Sequence, residues 1–243
     1  MSAQAGVRYS LDHPFSYINS NILGFSHILE CCRIYNVKNL IYASSSSVYG
    51  GNTRTPFKEK DNVDHPVSLY AATKKSNELM AHAYSSLYKI PTTGLRFFTV
   101  YGPWGRPDMA PFIFTKSIIM GEPIKVFNNG NSSRDFTYID DVVEVIKKLL
   151  EKPAKGDPKF KLNDPDPSKS WVPYQIFNIG NSNKINLNYF IEVLENEIGS
   201  KAKKIYLPMQ KGDVVSTHAE TKSINKYIKF KPKTNLKDGI RRF

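Results

Sequence analysis

The sequence predicts an α/β fold built on a parallel sheet, and three observations carry this prediction. Short apolar runs that suit buried strands alternate along the chain with longer segments of helical periodicity. The 243 residues are 40% hydrophobic and 12% aromatic, which is enough apolar material for a sizeable core and excludes a disordered chain. No apolar run in them approaches the roughly 18 residues that a membrane-spanning helix needs. By length, the chain forms one large domain or two small ones.

Two helix and strand pairs are predicted in the first part of the chain. Residues 17–35 carry apolar side chains at helical spacing, and residues 37–43 form a short apolar run typical of a buried strand. Residues 70–88 predict a second helix and residues 92–100 a second strand, whereas residues 53–66, with two prolines, predict a surface loop. The apolar side of the second helix is predicted to consist of Leu79, Met80, Ala83 and Leu87.

A loop, a helix and a hairpin are predicted next. Residues 101–111 are rich in glycine and proline, and residues 112–120 have helical character. Residues 124–127 and 134–139 flank the dipeptide Asn129-Gly130, which suits a primed turn. We therefore expect these two segments to pair as a β-hairpin.

The last part of the chain predicts one helix, a long loop and a further strand–helix–strand unit. Asp140 is expected to cap the helix that follows it. Residues 152–173 contain five prolines and no periodicity, which is typical of a long surface loop. A strand at 175–179, a helix at 187–198 and a short strand at 204–207 follow.

Charge and cysteine content limit the classes of function. The chain has 34 basic and 22 acidic residues, and its net charge of +12 favours an anionic partner. No block of five Lys or Arg occurs, so nucleic-acid binding remains only an alternative, which salt-sensitive DNA binding would support. Cys31 and Cys32 are adjacent, which excludes a disulfide framework and predicts a reducing, cytoplasmic location. The histidines have no metal-ligand spacing, and we expect no metal site.

Ser45, Tyr70 and Lys74 are the candidate catalytic residues. Ser45 lies at the end of a predicted strand, and Tyr70 and Lys74 are four residues apart, so they share one face of a helix. A tyrosine titrates near pH 10, and a neighbouring ammonium lowers that pKa toward the range that a general base needs. A Tyr-x-x-x-Lys pair alone is more often surface packing, but a strand-end serine twenty-five residues earlier makes the pattern more specific.

Several segments spread over nearly the whole chain resemble the extended short-chain dehydrogenase/reductase family, and most closely its UDP-glucuronate 4-epimerases. The signature of that family is a strand-end serine or threonine followed by Tyr-x-x-x-Lys. The similar segments are AQAGVRYS at 3–10, YASSSSVYG at 42–50, DHPVSLYAATKKSNELMAHAYS at 64–85, GLRFFTVYGPWGRPDMA at 94–110, RDFTYIDD at 134–141, FNIGN at 177–181 and GDV at 212–214.

The resemblance implies a partial Rossmann-like, doubly wound parallel sheet that lacks its first strands. Family members begin with a strand, a G-x-x-G-x-x-G turn and a helix that binds the cofactor pyrophosphate, and the 243 residues contain no such turn. We expect residues 1–110 to be the remaining part of an NAD-binding domain, and residues 111–243 to be mainly a smaller α/β part that binds a nucleotide sugar. We also expect a fragment with little affinity for NAD and with weak or no activity alone.

The same resemblance implies a role for each site residue. Tyr70 would accept the proton of the sugar O4 while NAD⁺ takes the hydride from C4, Lys74 would lower the pKa of Tyr70 and hold the nicotinamide ribose, and Ser45 would bind the C4 oxygen. Phe98 would pack near the nicotinamide, and Asn21 would reach cofactor or substrate. The implied substrate-binding residues are Ser47, Thr99, Arg106, Val126, Phe127, Arg134 and Asp213: Val126 and Phe127 would flank the uracil, Arg134 would bind the diphosphate and Asp213 would contact the nucleotide end.

The sugar is the least determined part of this prediction. Arg106 and Thr99 are expected to bind a C5 carboxylate, although Arg106 could instead brace its own loop, and a UDP-glucose 4-epimerase is the alternative within the family. Dehydratases and decarboxylases of the family usually carry an acidic residue where Ser46 and Ser47 stand, which favours epimerisation over elimination. A non-catalytic remnant that keeps a nucleotide-sugar pocket or a dimer surface is a further alternative. Helices 17–35 and 70–88 resemble the pair that forms a homodimer interface in the family.

Overall fold

The computed structural model describes residues 3–210 and 212–243, which form eight strands and nine α-helices. The strands are β1 (Leu40–Ser45), β2 (Thr92–Phe97), β3 (Thr99–Tyr101), β4 (Pro123–Phe127), β5 (Ser133–Tyr138), β6 (Tyr174–Ile179), β7 (Lys184–Asn186) and β8 (Lys203–Leu207). The helices are α1 (Tyr9–Asp12), α2 (Pro14–Tyr17), α3 (Gly24–Ile34), α4 (Leu69–Tyr88), α5 (Ala110–Ile119), α6 (Ile139–Leu150), α7 (Leu187–Ile198), α8 (Lys222–Ile228) and α9 (Leu236–Arg242).

A three-stranded parallel sheet in the order β1-β2-β6 forms the centre of the fold. Its middle strand, β2, is buried at nearly every position, as expected for a parallel strand that is covered on both faces. The predicted α/β class with parallel strands is therefore confirmed. β6 comes from the later half of the chain, so this sheet contains strands from both sides of the predicted domain boundary at residue 110. That boundary remains a prediction.

The predicted hairpin around Asn129-Gly130 is wrong. The residues do form a tight 3₁₀ turn, Asn128–Gly130, in which Asn129 has a φ of +50°. However, β4 pairs in parallel with β8, and β5 pairs with β3 in parallel and with β7 in antiparallel fashion. The local signal for a turn was correct, but partners distant in sequence form the sheets.

Helix α4 begins and ends where the periodicity predicts, but its buried face is a different one. The side chain of Ser68 accepts a hydrogen bond from the Ala71 amide and so fixes the first turn. Leu79 and Leu87, which belong to the predicted apolar side, are 60% and 69% exposed. The buried face instead consists of small and polar residues, namely Ala71, Thr73, Lys74, Asn77, Glu78, Ala81 and Ser85.

Two further local predictions are corrected by packing. The segment 53–66 has no helix or strand, but Phe57 and Val63 are buried in one apolar cluster with Phe98, so the segment is more than a surface loop. Asp140 does not cap α6: Tyr138 is the N-cap residue and makes no side-chain capping bond. Asp140 lies in the first turn, where its charge is favourable to the helix dipole.

A π-helical segment, Ile18–Leu23, joins α2 to α3 without a break in helical backbone angles. This run covers the predicted helix at 17–35, and residues 152–173 lack any helix or strand, as predicted. The short elements α1, α8, α9 and β7 were not predicted. Among the described residues, no helix combines the length and hydropathy needed to cross a bilayer.

Candidate active site

The end of β1 and the first turns of α4 bring Ser45, Tyr70 and Lys74 to one cavity. Ser45 is the last residue of β1 and has extended backbone angles. Its hydroxyl accepts a hydrogen bond from the Ser47 amide at 3.2 Å, which caps a 3₁₀ turn, Ser46–Tyr49, and ends the strand. The four-residue spacing of Tyr70 and Lys74 places both over this strand end.

The cavity has a volume of about 590 Å³ and opens at the carboxyl ends of β1 and β2. This is the position where parallel α/β sheets bind their ligands. Most of the predicted site residues line it, namely Ser45, Ser47, Tyr70, Lys74, Phe98, Thr99, Arg106, Arg134 and Asp213. Residues distant in sequence thus meet in one place.

Burial and two neighbouring groups act on the pKa of the Tyr70 phenol. Burial raises this pKa, while the Ser45 hydroxyl and the Arg106 guanidinium act to lower it. The Lys74 ammonium donates to the carbonyl of Ala43 at 3.1 Å, and burial lowers the pKa of Lys74. The effect of Lys74 on the pKa of Tyr70 stays a prediction.

Arg134 and Asp213 line the cavity, and a second guanidinium group, that of Arg8, lies beside Asp213. Arg134 is half-buried, and burial lowers its pKa, although Asp213 acts in the opposite direction. Arg8, which was not predicted, forms an ion pair with Asp213 at 3.1 Å and lies over the ring of Phe127 at 5.3 Å. This part of the cavity suits an anionic ligand, because guanidinium groups bind phosphate oxygens well.

Arg106 has two possible uses that are compatible with each other. Its Nε and Nη2 atoms donate to the carboxylate of Asp108 at 3.0 and 2.6 Å, so it does brace its own loop. It also lines the cavity together with Thr99, while Asp108 does not. The edge of the guanidinium that includes Nη1 makes no such bond to Asp108 and can bind a second carboxylate.

Asn21 and Val126 are corrections to the predicted site, and Phe127 lies outside the cavity lining. Asn21 is buried, and its amide donates both hydrogens, to the carbonyl of Gln4 and to the hydroxyl of Thr73, so no donor is left for a ligand. The side chain of Val126 is fully buried in the core formed by β4, β5, α5 and α7, where it cannot flank a uracil.

A buried polar network below the strand end was missed by the sequence analysis. Arg96 and Glu78 form a bidentate ion pair, with Nε–Oε1 and Nη2–Oε2 both at 2.9 Å, and the two side chains are 0% and 1% exposed. Arg96 also donates to the Tyr49 hydroxyl at 3.1 Å, and Tyr49 donates to Asn178 at 2.6 Å. Glu59 accepts from the Asn178 amide, and burial raises the pKa of Glu59 to about 7. The one feature of the sequence that could have indicated this network is the position of Glu78, four residues after Lys74.

A serine, a tyrosine and a lysine that meet in a cavity at the ends of parallel strands define a site of the short-chain dehydrogenase/reductase type. A family model described as "NAD dependent epimerase/dehydratase family" matches residues 1–180. The chain therefore belongs to this family, whose members depend on NAD.

Individual relatives are similar over the whole chain. The chain is 58% identical to Protein CapI of Staphylococcus aureus over 243 residues, which are 100% of this chain and 73% of that protein. It is 46% identical to a probable UDP-glucuronate 4-epimerase of Rhizobium meliloti, with 100% of this chain and 72% of that protein covered. The solved UDP-glucuronic acid 4-epimerase from Bacillus cereus, in complex with UDP-glucuronic acid and NAD, has a TM-score of 0.86 at 31% identity and covers 100% of this chain and 72% of its own.

The described residues fit the reactive end of such a cofactor. The Lys74 ammonium uses one of its three N–H donors on the Ala43 carbonyl, which leaves donors for the hydroxyl groups of a ribose. Phe98 and Val100 add apolar surface to the same cavity. Within residues 3–210 and 212–243, no cluster of three His, Cys, Asp or Glu side chains could hold a metal ion.

Proposed function

We propose that this chain carries the site of a UDP-glucuronate 4-epimerase, which interconverts UDP-glucuronate and UDP-galacturonate through a 4-keto intermediate. The observation that carries the proposal is the meeting of Ser45, Tyr70 and Lys74 in a cavity that Arg106 also lines. The relatives named as UDP-glucuronate 4-epimerases support this choice of sugar.

Each residue of the cavity has a role in this proposal. When bound, NAD⁺ reversibly accepts a hydride. Tyr70 takes the proton from the sugar O4 and later returns it, and Ser45, next to the phenol, orients that oxygen. Lys74 binds the ribose hydroxyls beside the nicotinamide, and Arg134 binds the diphosphate. Because the keto sugar must turn between the two hydride transfers, the pocket has to hold the nucleotide more firmly than the sugar.

Arg106 and Thr99 are the proposed carboxylate-binding residues. A 4-keto intermediate with a carboxylate at C5 is a β-keto acid and can lose CO₂ when the breaking bond is perpendicular to the carbonyl plane. A guanidinium that holds the carboxylate near that plane suppresses this loss. Arg106 therefore contributes to the identity of the product as well as to affinity.

Replacing Arg106 with alanine should weaken the binding of UDP-glucuronate by about 10- to 100-fold, since a charge-assisted hydrogen bond is lost. Binding of UDP-glucose should change by less than about threefold. Isothermal titration calorimetry with both nucleotide sugars measures this. Arg241→Ala is the matched control, because Arg241 also pairs with a carboxylate, that of Glu197, and does not line the cavity. Equal affinity of wild type and Arg106→Ala for UDP-glucuronate would remove the carboxylate assignment and favour a UDP-glucose epimerase.

We also propose a homodimer that forms through the outer faces of α3 and α4. Leu79 and Leu87 on α4 and Ile34 on α3 are large apolar side chains that are more than half exposed. An interface of paired helices would bury them. Analytical ultracentrifugation should show a dimer for the wild-type chain and a monomer for the Leu79→Glu/Leu87→Glu variant. A wild-type chain that stays monomeric at high concentration would contradict this proposal.

The alternative of a non-catalytic remnant predicts nucleotide-sugar binding without turnover, which the same calorimetry combined with an epimerase assay distinguishes. A cytoplasmic location also remains a proposal, and the two free thiols of Cys31 and Cys32 agree with the reducing compartment that it requires.

A further inference from the structure

The end of β1 is held by one face of α4 at three consecutive residues. The carbonyl of Ala43 accepts from Lys74, and the hydroxyl of Ser44 donates to Oε1 of Glu78 at 2.6 Å. Ser45 follows directly and acts on the Tyr70 phenol. Positions 70, 74 and 78 are one helical turn apart and lie on the same face of the helix. Glu78 thus extends the Tyr-x-x-x-Lys pair by one turn.

Glu78 can hold Ser44 only because its own charge is neutralised. Glu78 is buried, and both of its oxygens accept from Arg96 at 2.9 Å. Burial acts to lower the pKa of Arg96, but Glu78 outweighs it and keeps that pKa above its usual value. In the sheet register, Arg96 on β2 is the direct neighbour of Ser44 on β1. The Glu78–Arg96 ion pair therefore lies next to Ser44, the residue that precedes Ser45.

The same network also fixes the chain after Ser45. The Nη1 atom of Arg96 donates to the hydroxyl of Tyr49 at 3.1 Å and to the carbonyl of Glu59 at 3.2 Å. Tyr49 ends the turn that begins after Ser45, and its hydroxyl is bonded to Asn178 on β6. One buried arginine thus ties together both sides of the catalytic serine.

We propose that Glu78, supported by Arg96, is a positioning residue that fixes Ser45 relative to Tyr70 through the hydroxyl of Ser44. This inference rests on the catalytic role proposed above for Ser45. The Ser44 hydroxyl is not itself part of the ion pair between Glu78 and Arg96. This hydroxyl joins the side chain of Glu78 directly to β1, so its removal separates positioning from core stability.

Ser44→Ala is the informative variant, because truncation of Glu78 would leave a buried guanidinium unpaired and so change the stability of the core as well as the strand end. The matched control is Ser85→Ala: Ser85 is also a buried serine, lies on α4, and its hydroxyl has no hydrogen-bond partner within the described part of the chain. Both variants lose one buried hydroxyl, and only Ser44→Ala releases the strand end.

Hydrogen–deuterium exchange of the amides at 44–50 and epimerase kinetics with UDP-glucuronate and added NAD⁺ form the test. Ser44→Ala should speed exchange in this segment by about fivefold or more and lower kcat about tenfold with KM nearly unchanged. Ser85→Ala should change neither. Unchanged exchange or unchanged kcat in Ser44→Ala, or equal effects in the two variants, would overturn the proposal. Where the wild-type chain neither binds nor converts UDP-glucuronate, the proposed function fails, and the exchange measurement alone decides whether Glu78 positions the strand end.

Discussion

Replacement of Tyr70 by phenylalanine is expected to lower kcat for epimerisation by about 10²- to 10⁴-fold, the usual contribution of a general acid–base group. The phenol is the group that exchanges a proton with the sugar O4, and it lies in the cavity next to Ser45 and Arg106. Affinity for UDP-glucuronate should stay within about threefold of wild type, because the phenyl ring keeps its place. The assay follows the conversion of UDP-glucuronate by NMR with NAD⁺ supplied, and calorimetry measures the affinity.

Tyr84→Phe is the matched control for this variant. Tyr84 lies on the same helix, and its hydroxyl donates to Glu30 at 2.6 Å outside the cavity. Its loss should leave kcat unchanged. A Tyr70→Phe protein that retains more than about a tenth of the wild-type kcat would show that another group moves the proton.

Replacement of Arg96 by methionine is expected to destabilise the fold by about 3–5 kcal/mol, because it leaves the buried carboxylate of Glu78 without its counter-charge. Arg96 is fully buried and makes four hydrogen bonds, to Glu78, Tyr49 and the Glu59 carbonyl. Urea unfolding followed by circular dichroism measures this loss.

The double variant Glu78→Leu/Arg96→Met should recover a large part of the lost stability, since apolar residues of similar volume replace the whole pair. Its kcat should nevertheless stay about tenfold below that of wild type, because the leucine side chain that replaces Glu78 offers no acceptor to the Ser44 hydroxyl. A double variant no more stable than Arg96→Met would mean that the bonds from Arg96 to Tyr49 and Glu59 carry the stability instead.

The outline of the fold could be predicted from the sequence where the signal is local. The limits of α4 follow from Ser68 as its cap and from twenty residues without proline or glycine. The limits of α7 follow in the same way from Asn186 as its cap and from Gly199 in the left-handed conformation at its end. The partners of β4 and β5 could not be predicted, because no local feature says which distant strand will pair with them.

The same distinction between local signals and distant partners applies to the residues of the candidate site. Ser45, Tyr70 and Lys74 could be found because their chemistry depends on spacing along one helix and on a strand end. The burial of Glu78 and Arg96 could not be predicted. Polar residues in a helix or a strand are usually exposed, and only a partner from another element would indicate that they are buried. The failure for Asn21 has the same origin: its side chain is occupied by Gln4 and Thr73, which no sequence pattern connects.

The bonds of Asn21 have a consequence for the shape of the pocket. Ala3, Ala5, Gly6 and Val7 contribute to the cavity wall without belonging to any sheet. This segment is held by Asn21 at Gln4 and by the Tyr17 hydroxyl at Ala5 and Gly6. Because the Tyr17 ring also packs edge-on against the ring of Tyr70, with 6.0 Å between their centroids, a substitution at Tyr17 would change the cavity wall and the surroundings of the reacting phenol together.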